Sequence, residues 1–469
     1  MSLGTGKGWI SRRRWGTLSA IISVAGESTV TSSRHNHNWH FPSRLLALGI
    51  ATATALAISG CTSTPTQAPA SSTAPPSVAP STTGTTAGGK TGSATLGGLD
   101  KAKVQDTFRT LAKELLVPGA AMMLRTTQGD VSLTYGVTSA GGSTSVSLDD
   151  HIRIGSVTKT WTGTVILQLV QEGKLKLEDP VSKYRSDVPN GDNITIEQLL
   201  TMRSGIYNYS ETYELNKALD TTPQRVWTPE QLVAIALPLP AYFGPGEGFH
   251  YSNTNTVLLG LIAEKLDGKG FGQIVRDRIL EPLGLKQTSF PAAESSGLPK
   301  PFSRGYMYMD NLLTLSTAKL PADLIAKAQD GSLKPHDYTN ANPSWTWAAG
   351  QGVSTAGDLM TLAEGLTDGK LLNPDLQKKR MDSLAPIDPD NPGAARYGMA
   401  LAQFGPLYGH TGELPGYNTF MGRDPQNNVT LVVWTNLAPS PDGRDPASTI
   451  AKAIIGDLYG AAPTGPATR

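Results

Sequence analysis

Three short groups of residues in this 469-residue chain have side chains whose types and spacing could perform nucleophilic catalysis. The first is Ser156-Val157-Thr158-Lys159, which follows the extended segment Ile152-Arg153-Ile154 and opens a long apolar run. On a helix, positions i and i+3 share a face, so the Lys159 amine can reach the Ser156 hydroxyl. A serine is a weak nucleophile until a base takes its proton, and a lysine can be that base when burial or nearby cations lower its pKa. A place in the first helical turn adds the positive end of the helix dipole, which favours a developing alkoxide. The pattern alone is common on ordinary surface helices. Ser316-Thr317-Ala318-Lys319 also fits it, but Pro321 follows almost at once and would break a continuing helix, so that copy is set aside.

The second group is Tyr251-Ser252-Asn253, on a turn after the Gly/Pro loop Phe243-Gly244-Pro245-Gly246. A tyrosine beside a lysine can relay protons to a leaving group, and an asparagine amide can orient both a substrate carbonyl and the lysine. The alternative for Tyr251 is a packed core aromatic, and Tyr338-Thr339-Asn340 repeats the pattern. The third group is His410-Thr411-Gly412, on a strand edge bounded by glycines. Such an edge can lay backbone N–H groups against a substrate, and a positive or hydrogen-bonding side chain there can hold an acyl group or carboxylate. A glycine-rich turn with a structural histidine is the alternative.

The elements that must carry these groups are legible in outline. Lys101 to Leu116 has Val104, Phe108, Leu111, Leu115 and Leu116 on one helical face, suited to covering a sheet. Ala120 to Leu124 and Val131 to Val137 read as a β-hairpin around Thr126-Thr127-Gln128-Gly129-Asp130, and Tyr417 to Arg423 with Val429 to Thr435 as a second one. Between them, helical patterns dominate from Thr160 to Gly369, including Trp161 to Gln171, Val257 to Leu266 and Ala356 to Leu366. Thr355 to Asp358 has capping-box spacing, which makes Ser354 and Thr355 helix-start residues. A closing helix begins near Pro446, with Asp445 as its N-cap. Strands at both ends with helices between them imply an α+β layout, a sheet built from the two chain ends and a mostly helical inserted lobe.

Composition narrows the function. Forty basic against 39 acidic residues give a formal charge of +1, too balanced for nucleic acid or a polybasic tether. The one cysteine, Cys61, forbids an intramolecular disulfide and any cysteine-based metal site. It follows a short apolar run, Leu45 to Ile58, preceded by Arg34 and Arg44, which is signal-peptide length and below the about 20 residues of a comfortable membrane span. Small residues before a lone cysteine resemble the bacterial lipoprotein signal, in which Cys61 becomes the lipid-modified N-terminus. Ser11-Arg12-Arg13-Arg14-Trp15 faintly resembles a twin-arginine signal. Removing residues 1–60 takes away six basic residues and Glu27 and leaves a formal charge of −4, so the mature chain would not bind nucleic acid.

The chain therefore divides into an extension with a signal peptide (1–60), a lipidated Cys61 with a Thr/Pro/Ser/Ala/Gly tether (61–98), a folded domain (99–462) and a tail (463–469). The tether has too little apolar surface to fold. Within it, Gly84 to Thr91 imitates a phosphate-binding loop but lacks the strand and helix that such a loop needs. Metal chemistry has no support. There is no His-Glu-x-x-His, His35, His37 and His40 would leave with the signal peptide, and His151, His250 and His336 read as structural. No Gly-x-Ser-x-Gly elbow is present, so an α/β-hydrolase is unsupported.

The three groups occur in the order Ser-x-x-Lys, Tyr-x-Asn, His-Thr-Gly, at intervals of 95 and 159 residues from Ser156 to Tyr251 to His410. With the flanks IRIGSVTKTWTG, EGKLKLEDPVSKY, ITIEQLLTMRSGI, FGPGEGFHYSNTNTVLLGLIAEKL and GHTGELPGYNTF, the chain resembles the serine β-lactamase and D-alanyl-D-alanine carboxypeptidase superfamily, in its class C-like branch of penicillin-binding proteins, β-lactamases and esterases. The resemblance implies the penicillin-binding fold and no cofactor or metal. Ser156 would attack a carbonyl while Lys159 and Tyr251 share its proton, and Tyr251 would deliver it to the leaving group. The backbone N–H groups of Ser156 and Glu413 would hold the oxyanion, and Asn253, His410, Thr411 and Gly412 would bind substrate.

The implied substrates are D-alanyl peptides of peptidoglycan, as for a DD-carboxypeptidase, or small amides and esters, with β-lactams as acylating ligands. A β-lactamase or esterase of the same fold is the alternative, and a non-catalytic envelope binding module is the rival from another class. The expected location is outside the cytoplasmic membrane, held there by lipid on Cys61. Two departures matter. His410 replaces the lysine of many β-lactamases and is an unreliable cation at neutral pH, which disfavours a dedicated β-lactamase. Leu200-Thr201-Met202-Arg203-Ser204-Gly205 lacks a histidine commonly found there.

Overall fold

The computed structural model describes residues 95–391 and 394–460. The signal segment, Cys61, the tether as far as residue 94, Gly84 to Thr91 within it, and the 463–469 tail lie outside the described residues. The end of the expected tether is described and docks on the domain, with Leu96 against the core and the Gly97 N–H donating to the Leu458 oxygen at 2.7 Å. Twelve strands carry the architecture: β1 (Gly119–Thr126), β2 (Gly129–Gly136), β3 (Ile152–Arg153), β4 (Tyr306–Met307), β5 (His336–Asp337), β6 (Val353–Ser354), β7 (Ala385–Pro386), β8 (Arg396–Tyr397), β9 (Ala402–Phe404), β10 (Leu407–Leu414), β11 (Tyr417–Asp424) and β12 (Val429–Thr435). Eight of them form one antiparallel sheet in the order β2-β1-β12-β11-β10-β9-β8-β7, while β3 pairs with β6 and β4 with β5. The pairing of β1 with β12, with Met122 opposite Val433, joins the two ends of the domain in the middle of the sheet.

Period-two alternation in the central strands divides their side chains between two cores. Ala120, Met122 and Leu124 of β1 and Leu431 and Val433 of β12 face one side, while Ala121, Val432 and Trp434 face the other. The first face is covered by helices from the two chain ends. Lys101–Glu114 supplies Val104, Phe108 and Ala112, and Pro446–Tyr459 supplies Ile450, Ile454 and Leu458. The first helix starts where Asp100 accepts from the Lys103 N–H at 3.0 Å, an N-cap worth about 1 kcal/mol. Phe108 is fully buried, a burial worth roughly 1.5–3 kcal/mol.

The second face is covered by Lys159–Gln171 and Ala356–Thr367, which lead into a helical lobe containing Asn253–Asp267. Lys159–Gln171 is buried on nearly every side, from Thr160 through Leu167, because it runs between sheet and lobe. Among the described residues no helix is long and apolar enough to cross a membrane.

The expected helices and hairpins are present with ends shifted by a few residues, and Thr355 caps Ala356–Thr367 by accepting from the Asp358 N–H. Two differences bear on the site. The α-helix starts at Lys159, not Ser156, which sits instead in a 3₁₀ turn, Gly155–Thr158. Asp445 occupies the N-cap position but its side chain does not cap.

Candidate active site

Ser156 is placed by a close crossing of two backbones. β3 delivers the chain to Gly155, whose φ of +52° turns it into the Gly155–Thr158 turn. A Cβ on Gly155 would lie 2.6 Å from the Glu413 nitrogen of β10, and one on Gly412 would lie 1.9 Å from the Ile154 oxygen and 3.2 Å from the Ser156 nitrogen. Only glycine fits at either position, and the crossing brings the backbone nitrogens of Ser156 and Glu413 to one spot. Gly412 thus acts by permitting the approach.

In the 3₁₀ turn residues i and i+3 eclipse, so Ser156 and Lys159 still meet. Lys159 is wholly buried, and its Nζ lies 2.9 Å from Ser156 Oγ, 2.6 Å from Asn253 Oδ1 and 2.9 Å from the Ala349 oxygen. No carboxylate compensates the ammonium, and burial drives its pKa well below the usual lysine value. All three neighbours are oxygens to which the amine donates. In its neutral form two N–H groups suffice for the carbonyl oxygens of Asn253 and Ala349, which frees the lone pair to take the Ser156 proton.

Tyr251 lies half-buried beside them, its ring centroid 4.8 Å from Lys159 Nζ. Burial raises its pKa, against a smaller lowering effect of the nearby Ser156 side chain. Asn253, the first residue of its helix, is held on three sides. Its Oδ1 accepts from Lys159, its Nδ2 donates to Ser210 Oγ at 2.9 Å, and its backbone N–H donates to Asn208 Oδ1 at 3.0 Å.

His410 is buried, and both its ring nitrogens are engaged. Nδ1 lies 2.6 Å from the Thr411 carbonyl oxygen, which can only accept, so Nδ1 carries the proton and Nε2 accepts from the Tyr397 hydroxyl at 3.2 Å. Burial pushes its pKa down to about 3, so the histidine is neutral at neutral pH.

A cleft of about 510 Å³ opens over Ser156, with Tyr251, Asn253, Thr411, Gly412 and Glu413 on its wall. It also draws on residues that the motifs do not mark. Tyr397 stands edge-on to both Tyr251, at 6.0 Å, and His410, at 5.6 Å. Asn208, Ser210 and Glu211 come from the Tyr207 to Gln224 segment, one of the lobe loops in which the sequence reading places substrate selectivity. The Glu211 carboxylate accepts from Asn208 Nδ2 at 2.9 Å and the Tyr242 hydroxyl at 2.7 Å, with His250 Nε2 at 3.1 Å. Burial alone would raise its pKa, but these bonds outweigh it and hold the value below the usual glutamate range. The set-aside pair is elsewhere: Ser316 ends a short helix and Lys319 lies beyond it.

Comparison with known proteins gives the arrangement a context. The family model described as Beta-lactamase matches residues 104–454. Protein flp of Staphylococcus aureus is 37% identical over 189 residues, covering 37% of this chain and 35% of that protein. The putative penicillin-binding protein PbpX of Bacillus subtilis is 26% identical over 285 residues, covering 61% of each. The chain thus spans about a third to three fifths of the length of these curated relatives. A D-stereospecific amidohydrolase from Streptomyces sp. superposes with a TM-score of 0.65 at 31% identity, covering 76% of this chain and 98% of that one.

Proposed function

The chain belongs to the beta-lactamase family of serine hydrolases, and we propose that within it the protein cleaves amides of D-configured residues, D-alanyl peptides among them, through an acyl-enzyme on Ser156. The observation that carries this reading is the buried Lys159 amine, set between Ser156 Oγ and two carbonyl oxygens with no acid to keep it charged. The neutral amine takes the Ser156 proton as Oγ attacks the substrate carbonyl carbon. The developing oxyanion accepts from the backbone N–H groups of Ser156 and Glu413, fixed by the glycine crossing before substrate arrives.

Tyr251, whose ring lies 4.8 Å from Lys159 Nζ, passes the proton to the leaving nitrogen. The C–N bond breaks and the amine departs, leaving an ester on Ser156. Water then attacks that ester while the Tyr251–Lys159 pair accepts its proton and returns one to Ser156 Oγ. His410 acts indirectly in this scheme, tying Thr411 of β10 to Tyr397.

The D-configured substrate class is supported by the likeness to the Streptomyces D-stereospecific amidohydrolase, and the acyl-enzyme by the family. We also propose export and lipid attachment at Cys61, on the apolar run and small residues before it. Fatty-acid labelling of the wild-type chain, lost in Cys61→Ser, tests that placement; equal labelling of both would discard it.

Intact mass after incubation with a penicillin tests the chemistry. A gain of one ligand, absent from Ser156→Ala, is the expected result. If neither a penicillin nor a small ester or amide substrate acylates or turns over, the chain is a binding module.

A further inference from the structure

Asn253 presents its Oδ1 to Lys159 and its Nδ2 to Ser210 Oγ. Nothing at Lys159 itself enforces that choice, because a neutral amine can donate to a carbonyl oxygen or accept from an amide N–H. Turned over, Asn253 would place Nδ2 against the amine and tie up the lone pair that takes the Ser156 proton. Ser210 does not decide the matter either, since a hydroxyl both donates and accepts. The direction has to come from groups with a single role.

Two such groups close the chain of bonds. Ser210 Oγ donates to Asn208 Oδ1 at 3.0 Å, which leaves its lone pairs for Asn253 Nδ2 at 2.9 Å. Asn208 Oδ1 also accepts at 3.0 Å from the Asn253 backbone N–H, a group that can only donate. At the other end of the same amide, Asn208 Nδ2 donates at 2.9 Å to Glu211 Oε1, and a carboxylate can only accept. Both ends therefore turn Asn208 the same way. The Tyr242 hydroxyl, at 2.7 Å, and His250 Nε2, at 3.1 Å, donate to the same carboxylate and help to keep it ionised. His250 precedes Tyr251 in the chain, so Glu211 braces the segment that carries both Tyr251 and Asn253. It works through these bonds and not through its charge, since burial is what lowers the Lys159 pKa.

Resting on the Ser156 acylation chemistry above, we propose that Glu211 is a positioning residue: through Asn208 and Ser210 it fixes the Asn253 amide with Oδ1 toward Lys159 and so keeps the amine's lone pair free for Ser156. What passes along this chain is a direction, so any side chain that keeps one acceptor for Asn208 can replace the carboxylate. Glutamine can, with its Oε1 on Asn208 and its Nε2 toward the Tyr242 oxygen or His250 Nε2. Leucine cannot.

The test is Ser156-dependent acylation of the full chain, read across pH as adduct formation with a penicillin or as turnover of a small ester, with the melt as a check on folding. Glu211→Leu should lower the plateau rate by roughly 10- to 100-fold, in line with the cost of misplacing a reacting group by about 1 Å. Its acid limb should move to lower pH, because an N–H aimed at the amine disfavours the ammonium. The titratable groups at Lys159 do not confuse that limb, since burial raises Tyr251 and holds His410 at about 3. Glu211→Gln should stay within about threefold of wild type, having kept the acceptor. Should Glu211→Leu fold poorly, Ser210→Ala cuts the chain one link from Asn253 and should show the same two changes, with Ser210→Thr restoring the rate. A Glu211→Leu enzyme at the wild-type rate, or a Glu211→Gln enzyme as slow as Glu211→Leu, would overturn the proposal. So would an acid limb that moves up toward the ordinary lysine value of about 10, the mark of a loosened site that admits water. If wild type shows no Ser156-dependent adduct or turnover, the acylation reading itself falls, and the role of Glu211 with it.

Discussion

Gly155→Ala isolates the backbone crossing from the side chains around it. The new Cβ would sit 2.6 Å from the Glu413 nitrogen, 2.9 Å from its oxygen and 3.0 Å from its carbonyl carbon, all of them backbone atoms that cannot rotate away. Ordinary contact begins near 3.4 Å, so the turn and β10 must part by about 0.8 Å. The φ of +52° adds about 1–2 kcal/mol of backbone strain for any residue with a Cβ. Loss of one oxyanion donor costs about 10²–10³ in rate, and a misplacement near 1 Å costs about 10²-fold. Acylation by a penicillin should therefore slow by roughly 100-fold or more, read as the rate of adduct formation by intact mass, while the cooperative melt survives. Gly357→Ala is the control, because a Cβ there meets no atom within 4 Å. Were Gly155→Ala to fold and acylate within about threefold of wild type, the pairing of the Ser156 and Glu413 nitrogens would have no catalytic meaning.

The remaining expectations concern Lys159 and the core. Because the neutral amine is the base and burial lowers its pKa, acylation should be full above the lowered value and decline as pH falls through it. A profile that rises only near the ordinary lysine value of about 10 would refute the neutral-base argument. Between the lowered value and the ordinary lysine value of about 10, the same burial makes the folded state bind one proton fewer than the unfolded chain, so stability from this residue rises with pH across that window. Phe108→Ala should cost about 3–5 kcal/mol by opening a cavity between the two terminal helices and the sheet, far from Ser156. Calorimetry would show the melt lowered by several degrees with acylation at 25 °C unchanged, and an unchanged melt would mean that this face contributes little.

The parts of the molecule legible in the sequence are those where one physical requirement sets the residue type. Period-two and period-3.6 patterns gave the central strands and the long helices, because each must bury one face. Ser156, Lys159, Tyr251 and Asn253 could be brought together on paper because each has a distinctive chemistry and a local turn to present it. The strands β7, β8 and β9 could not, since two or three residues carry no period. Tyr397, on one of them, is a site residue solely through its position between Tyr251 and His410. Ala349 was invisible for another reason: it contributes a backbone oxygen, which every residue has.

Asp445 shows where a reading by residue type mistakes the role, and His410 shows why type alone leaves a charge open. A histidine at a cleft is a candidate cation by type, but protonation depends on what surrounds the ring, and here a carbonyl, a hydroxyl and burial keep it neutral. An aspartate before a proline at a helix start is a capping residue by type, but capping needs only one acceptor, and Asn418 reaches the same N–H groups from β11.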